Sequence, residues 1–234
     1  MSERQQMNIA IGANKAVIFD IDGVLIDSYR GHLQSWQQVA HRHGHEMTEE
    51  DFARTFGRTS REIIRSLWSD AEMRDADIES FDCEKEAAFR KIVIADYPWM
   101  DGALDLISSF SDSGYRLAVG SSGPRENVEL LLSQLDDPDW ITAAVSGSDV
   151  LQGKPHPEVF QKAAEKLDIV PTACAVIEDA AAGITAANAA GMLSVGLVST
   201  GHRREEFSEA AQVITHLSEL SPEIIAAWID ERSG

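Results

Sequence analysis

Cysteine is scarce: the chain holds two, Cys83 and Cys174, too few for the disulfide framework that staples small secreted domains. Cys174 lies in Ala173-Cys174-Ala175-Val176-Ile177, an apolar stretch that predicts a small buried thiol. Long hydrophobic runs are missing too. No segment approaches the roughly 18 consecutive apolar residues of a membrane span, and the stretch from Met1 to Asn14 is polar. Neither a transmembrane helix nor a signal segment is therefore expected. Positive charge is also in short supply, with 20 Lys and Arg against 39 Asp and Glu and a formal net charge of -19. Such a field repels phosphate backbones, so nucleic acid is not an expected partner. It repels small anions as well, and any phosphate site must bring its own cations from Lys, Arg or a bound metal. The expectation is a cytoplasmic protein with no membrane and no nucleic-acid partner.

What is present is an ordinary globular composition, 44% hydrophobic and 25% charged over 234 residues, enough for one substantial core and a modest inserted domain. Lys15-Ala16-Val17-Ile18-Phe19-Asp20 is short, apolar and rich in β-branched and aromatic residues, the pattern of a fully buried strand. Similar runs recur at Leu117-Ala118-Val119-Gly120, at Ala175-Val176-Ile177 and at Leu193-Ser194-Val195-Gly196-Leu197-Val198. Helical patterns alternate with them, from Gly102 to Ser113, Arg125 to Leu135, Glu158 to Leu167 and Ala180 to Ala190, with Gly114 and Gly191 as stop signals. The predicted fold class is α/β, a doubly wound parallel sheet covered on both faces. From about Tyr29 to Met100 there is no strand pattern. Helical periodicity runs there from Tyr29 to His43, Glu49 to Thr55, Ser60 to Trp68 and Cys83 to Ala95. The expected organisation is a core of residues 1–28 and 101–234, residues 1–14 being a flexible tail, with a small α-helical insertion over 29–100.

In an open parallel sheet, ligands bind beyond the carboxyl ends of the strands, and Asp20, Ser121 and Asp179 each follow a predicted strand. Asp20-Ile21-Asp22-Gly23 places two carboxylates on one face if the backbone stays extended. Crowded carboxylates are costly unless a cation sits between them or one keeps its proton, which suits a nucleophile paired with a proton donor. A solvated Asp-Gly turn is the alternative. Glu178-Asp179 is a second acidic pair between an apolar strand and an Ala-rich helix, and its oxygens suit Mg2+, although Asp179 could simply cap that helix. Ser121-Ser122-Gly123 offers hydroxyls and backbone N–H groups to a phosphate, with capping again the alternative. Lys154, in the Pro-braced loop Gly153-Lys154-Pro155-His156-Pro157, supplies a point charge that would otherwise be solvated.

Taken in order, these four motifs resemble those of the haloacid dehalogenase superfamily, in the branch of β-phosphoglucomutase and related sugar-phosphate phosphatases. The segment from Phe19 to Ser28 matches the first motif, Ser121 the second, Lys154 the third and Glu178-Asp179 the fourth, and the resemblance runs from about Lys15 to Leu220. It implies a Rossmann-like core with an α-helical cap, Asp20 as the nucleophile that forms an aspartyl-phosphate, and Asp22 as acid and base. It also implies Mg2+ held by Asp20, the Asp22 carbonyl and Asp179, with Glu178 ligating directly or through water. Ser121, Ser122 and Lys154 would hold phosphoryl oxygens. Dehalogenases and phosphonate hydrolases lack an aspartate at the position of Asp22, so phosphoester chemistry is favoured. In the cap, His32 matches a histidine that gates the acid/base in the mutase, a structural histidine being the alternative. Arg58 and Arg61 are candidates for clamping a distal phosphate, and Arg90 and Lys91 for a cap lysine. Arg125 and Asn127 are candidates to reach a bound phosphate, a helix surface being the alternative for Arg125, and the cluster His41, His43, His45 has no cysteine partner and does not read as a metal site.

The expected activity is thus a Mg2+-dependent phosphatase whose partner is a small phosphorylated metabolite, a sugar phosphate or similar phosphoester. The alternatives are β-phosphoglucomutase, interconverting β-glucose 1-phosphate and glucose 6-phosphate, and an inactive phosphate-ligand-binding relative.

Overall fold

The computed structural model describes residues 11–56, 58–68 and 74–233. Residues 1–10 of the expected tail lie outside the described residues. In chain order the helices are α1 (Tyr29–Arg42), α2 (Glu49–Thr55), α3 (Ser60–Leu67), α4 (Asp75–Val93), α5 (Ala103–Asp112), α6 (Arg125–Ser133), α7 (Glu158–Leu167), α8 (Ala181–Ala189) and α9 (Pro222–Ser233). The strands are β1 (Ala16–Phe19), β2 (Arg116–Gly120), β3 (Ala143–Val145), β4 (Cys174–Glu178), β5 (Leu193–Leu197) and β6 (Gln212–Ile214). They form one sheet in the order β3-β2-β1-β4-β5-β6, with every pairing parallel.

The chain divides into two compact units, one reaching Asp27 and resuming at Trp99, the other Ser28–Pro98. In the first unit β1 is central and all four of its residues are fully buried, which is why its sequence is continuously apolar rather than alternating. One face of the sheet carries Ala16, Ile18, Ala118 and Val145, packed with Val159, Phe160 and Ala163 of α7 and Ala186 and Ala187 of α8. On the other face Phe110 of α5 meets Phe19 edge-on at 6.3 Å. There Tyr115 Oη donates to Pro222 O at 2.6 Å and pins the start of α9.

The strand order reverses about β1, which has β2 on one side and β4 on the other, Phe19 lying opposite both Val119 and Ile177. That reversal is a topological switch point, where the carboxyl ends of the strands leave a crevice. The residues that follow β1, β2 and β4, namely Asp20, Ser121 and Asp179, emerge there. The two crossings of the chain are tied within this unit: Ile26 bridges Trp99, and the Met100 amide donates to Leu25 O at 2.8 Å.

The second unit packs α1 to α4 around Trp36, Val39, Phe52, Ile63, Ile64, Ile78 and Phe81. Thr48 caps α2, and a Thr59–Glu62 capping box starts α3. The helix expected over Cys83 to Ala95 is only the later part of α4, which begins at Asp75. Acidic residues Asp75 and Asp77 favour the positive end of the helix dipole, and the buried positions Ile78, Phe81 and Lys85 extend its inner face toward that end. Two short edge strands, β3 and β6, had no counterpart in the sequence reading. Among the described residues no helix is long and apolar enough to cross a membrane.

Candidate active site

Asp20 continues the β1–β4 pairing by one residue, its amide donating to Ile177 O at 2.9 Å, and it is buried. The chain then closes a tight turn in which the Leu25 and Ile26 amides both donate to Ile21 O, at 2.9 and 3.1 Å. Gly23 adopts φ 75 in this turn, and a Cβ there would stand 1.8 Å from Asp179 Oδ2. Glycine is therefore required twice over, for the backbone conformation and for the approach of Asp179.

Lys154 enters from the loop before α7. Its Nζ donates to Asp20 Oδ1 at 2.5 Å, to Glu178 Oε1 at 2.7 Å and to Gly120 O at 3.1 Å. The side chain is 7% exposed, so this lysine is not the solvated one that an isolated loop residue would be. Glu158 braces the loop by accepting the Leu151 and Gln152 amides. Lys162, together with those amides, holds the Glu158 carboxyl down at about 2. Glu178 is buried and its Oε2 accepts the Ala180 amide at 2.7 Å. A Cβ on Gly183 would collide with Glu178 Oε1 at 1.7 Å.

Asp179 does not cap a helix. The capping position of α8 falls on Ala180, because the chain stays extended there (φ -124, ψ 141) and the Glu178 carboxylate takes its amide. Instead Asp179 Oδ2 accepts a hydrogen bond from Ser199 Oγ at 2.8 Å. Neither Ser121 nor Ser122 caps α6, whose capping position is Pro124. Ser121 is buried, with its Oγ accepting the Gly123 amide at 3.0 Å, while Ser122 is exposed. Arg125 forms an ion pair with Asp149 on the surface of α6, and Asn127 is buried.

Asp20 and Glu178 therefore share a single ammonium, and Asp22 and Asp179 act electrostatically within the same acidic neighbourhood. Burial raises the Asp20 pKa; Lys154 works against the rise, Glu178 and Asp22 add to it, and the value is pushed up to about 7. Burial likewise raises Asp179 well above the usual carboxylate range, reinforced by Glu178 and Asp20. Burial works against the Lys154 ammonium, but Asp20 and Glu178 more than offset it, so its pKa is raised. An excess of buried carboxylate over ammonium is what a cation relieves. Among the described residues no three acidic or histidine side chains stand ready as a cage. The donor set still fits Mg2+, which keeps several waters and is commonly bound by one or two carboxylates plus substrate phosphate.

In the helical unit His32 lies 2.9 Å through Nδ1 from Lys85 Nζ, and its ring stacks on Phe89 at 3.9 Å. Lys85 is buried, pairs with Glu86 at 2.6 Å and lies over the Trp36 ring at 5.7 Å. Sequence reasoning pointed to Arg90 and Lys91, yet Lys91 is exposed and it is Lys85 that meets His32. The signal was available: Phe81, Lys85 and Phe89 are four apart, so a charge sits on an apolar stripe. Arg58 is exposed, and Arg61 forms a surface ion pair with Asp75 at 2.6 Å. His43 contacts Glu84 at 3.3 Å and His45 stacks on Trp68 at 4.7 Å, ordinary structural roles for both.

A carboxylate-bearing strand end lies at the switch point of a parallel sheet, with Lys154 and a second acidic pair beside it, and the class of protein is a hydrolase. The chain belongs to the haloacid dehalogenase-like hydrolase family, which it matches over residues 14–191. It is 31% identical over 209 residues to the validoxylamine A 7'-phosphate phosphatase of Streptomyces hygroscopicus subsp. limoneus, covering 88% of this chain and 95% of that one. It is 29% identical over 189 residues to the β-phosphoglucomutase of Bacillus subtilis, covering 78% and 83% of the two chains. Among solved structures, a HAD hydrolase, family IA, variant 3, from Entamoeba histolytica superposes with a TM-score of 0.81 at 26% identity, covering 92% of this chain and 99% of that one.

Proposed function

We propose that the protein is a cytoplasmic Mg2+-dependent phosphatase of a small sugar phosphate or related phosphoester, acting through an aspartyl-phosphate on Asp20. The observation that carries this reading is the buried Asp20 carboxylate paired to Lys154 at 2.5 Å, with Asp22 two residues on. In the first step an Asp20 oxygen attacks phosphorus and the bond to the leaving oxygen breaks, that oxygen taking a proton from Asp22. In the second, water attacks the aspartyl-phosphate, Asp22 recovers its proton from that water, and phosphate leaves with the Asp20 carboxylate restored. Lys154, Ser121 and Ser122 orient the phosphoryl oxygens. Asp20, the Asp22 carbonyl and Asp179, with Glu178 alongside, would hold Mg2+, which when bound would supply positive charge to phosphoryl oxygens and balance the carboxylates.

A second reading is a β-phosphoglucomutase, supported by the similarity to the Bacillus subtilis enzyme and by the buried pairing of His32 with Lys85. Such an enzyme also needs a guanidinium for a distal phosphate, and Arg58, which is exposed, and Arg61, in an exposed ion pair with Asp75, are the candidates. The test is Mg2+-dependent phosphate release over a panel of sugar phosphates, with Asp20→Asn as control. Beside it runs conversion of β-glucose 1-phosphate to glucose 6-phosphate with a bisphosphate primer. Release that vanishes in the variant supports the phosphatase; isomerisation with little release favours the mutase; silence in both overturns both enzyme readings.

A further inference from the structure

Ser199 belongs to none of the four motifs and takes no part in the chemistry above, yet its hydroxyl donates to Asp179 Oδ2 at 2.8 Å. It lies two residues past the end of β5, at the carboxyl edge of the sheet where Asp20 and Asp179 also emerge. The chain then reverses in a β-turn, closed by the His202 amide donating to Ser199 O at 3.2 Å, with Gly201 at φ 92 in its third position. The turn carries the His202 ring back toward the same carboxylate, with Nε2 3.8 Å from Asp179 Oδ2. On the far side of that ring Nδ1 meets Glu206 Oε2 at 2.8 Å, and Glu206 also accepts the Arg203 amide at 3.1 Å.

Asp179 Oδ2 is confined from the other direction as well. A Cβ at Gly23 would stand 1.8 Å from that oxygen and 2.9 Å from Ser199 Oγ. Oδ2 thus sits between the Gly23 backbone and the Ser199 hydroxyl, with His202 at its rim. The terminal torsion of an aspartate is intrinsically broad. Fixing one oxygen removes that freedom and presents the other in a set direction.

We propose that Ser199, presented by the turn from Ser199 to His202, is the positioning residue for Asp179, holding Oδ2 so that Oδ1 is offered to a divalent cation. The inference rests on the reading that Asp179 is a cation ligand. Outer partners of metal-ligating carboxylates typically govern affinity by roughly 10- to 100-fold, which sets the expected effect.

The experiment is Mn2+ binding to the full chain, followed by the electron paramagnetic resonance of the free ion, for the wild type, Ser199→Ala, Ser199→Thr and Asp179→Asn. Ser199→Ala is expected to bind Mn2+ roughly 10- to 100-fold more weakly, and Ser199→Thr, which keeps the hydroxyl, to bind close to wild type. The Mg2+ concentration giving half-maximal phosphate release should move by the same factor in Ser199→Ala. Thermal melting in chelator confirms that each variant is folded. Equal affinity in Ser199→Ala and wild type, with Asp179→Asn impaired, overturns this inference alone. Equal losses in the Ala and Thr variants overturn it too, because a packing defect rather than the hydroxyl would be responsible. A wild type that binds no Mn2+ removes the cation reading itself, and this inference with it.

Discussion

Asp20→Asn should abolish turnover and yet stabilise the cation-free protein above neutral pH. Burial, with Glu178 and Asp22, outweighs Lys154 and lifts the Asp20 pKa from 3.8 to about 7. Between those values the folded carboxyl keeps a proton that the unfolded chain has released. The native state then binds more protons, and stability falls as pH rises from about 4 to about 7. At about 1.4 kcal/mol per pH unit, the interval from 3.8 to about 7 corresponds to ~4 kcal/mol lost once the carboxyl is ionised. Asn keeps the size and removes the charge, and Lys154 retains Glu178 at 2.7 Å. Lys154 does lose one partner, so about half of that figure, ~2 kcal/mol, is the expected net gain. For a chain of this length it corresponds to a melting temperature higher by about 4–8 °C. The assay is thermal unfolding in chelator at about pH 5 and about pH 8, repeated with excess Mg2+. The advantage of the variant should be larger at the higher pH, and Mg2+ should raise the wild type more than the variant, by about 2.7 kcal/mol at a hundredfold excess over Kd. A variant that melts at or below the wild type at the higher pH in chelator would refute the reasoning. Lys154 would then neutralise Asp20 completely, and the site would have no charge deficit for a cation to fill.

Gly23→Ala places a methyl 1.8 Å from Asp179 Oδ2 at a positive φ, and a fall in Mg2+ affinity of about 100-fold is expected; an unchanged Mg2+ titration of phosphate release would contradict the packing described. Tyr115→Phe deletes the 2.6 Å hydrogen bond to Pro222 O and should lower stability in urea by about 1 kcal/mol while leaving phosphate release alone. A shift in turnover instead would show that α9 is coupled to the chemistry. Lys85→Met removes the ammonium that His32 and Glu86 share and should destabilise the protein by about 1–3 kcal/mol. No loss on denaturation would mean that the buried pair repays little of its own desolvation.

How far the sequence could be read depended on where the determining contacts lie. β1, β2, β4 and β5 were legible because burial on both faces makes a continuous apolar run, and the carboxylates that end β1 and β4 stood out against it. Ala143-Ala144-Val145, at the sheet edge, has too little side chain to announce a strand; its pairing with β2 is a tertiary decision. The start of α4 was hidden because Asp75-Ala76-Asp77 carries no apolar period, only charges that favour a helix N-terminus. Arg61 sat in a locally persuasive motif, but its partner Asp75 is 14 residues away. Ser199 gives no local sign at all, since Val198-Ser199-Thr200-Gly201 reads as a turn and its contact with Asp179 exists only once β4 and β5 are paired.

The tie at the two chain crossings has a consequence for how such a molecule can change. Ile26 and Trp99 are joined by a bridge, and Leu25 and Met100 by a hydrogen bond, within the sheet-bearing unit. The entropy of closing an excursion from that neck grows only as the logarithm of its length. A change in length of the segment between Asp27 and Trp99 therefore costs little closure entropy, because the neck that holds its two ends lies within the sheet-bearing unit.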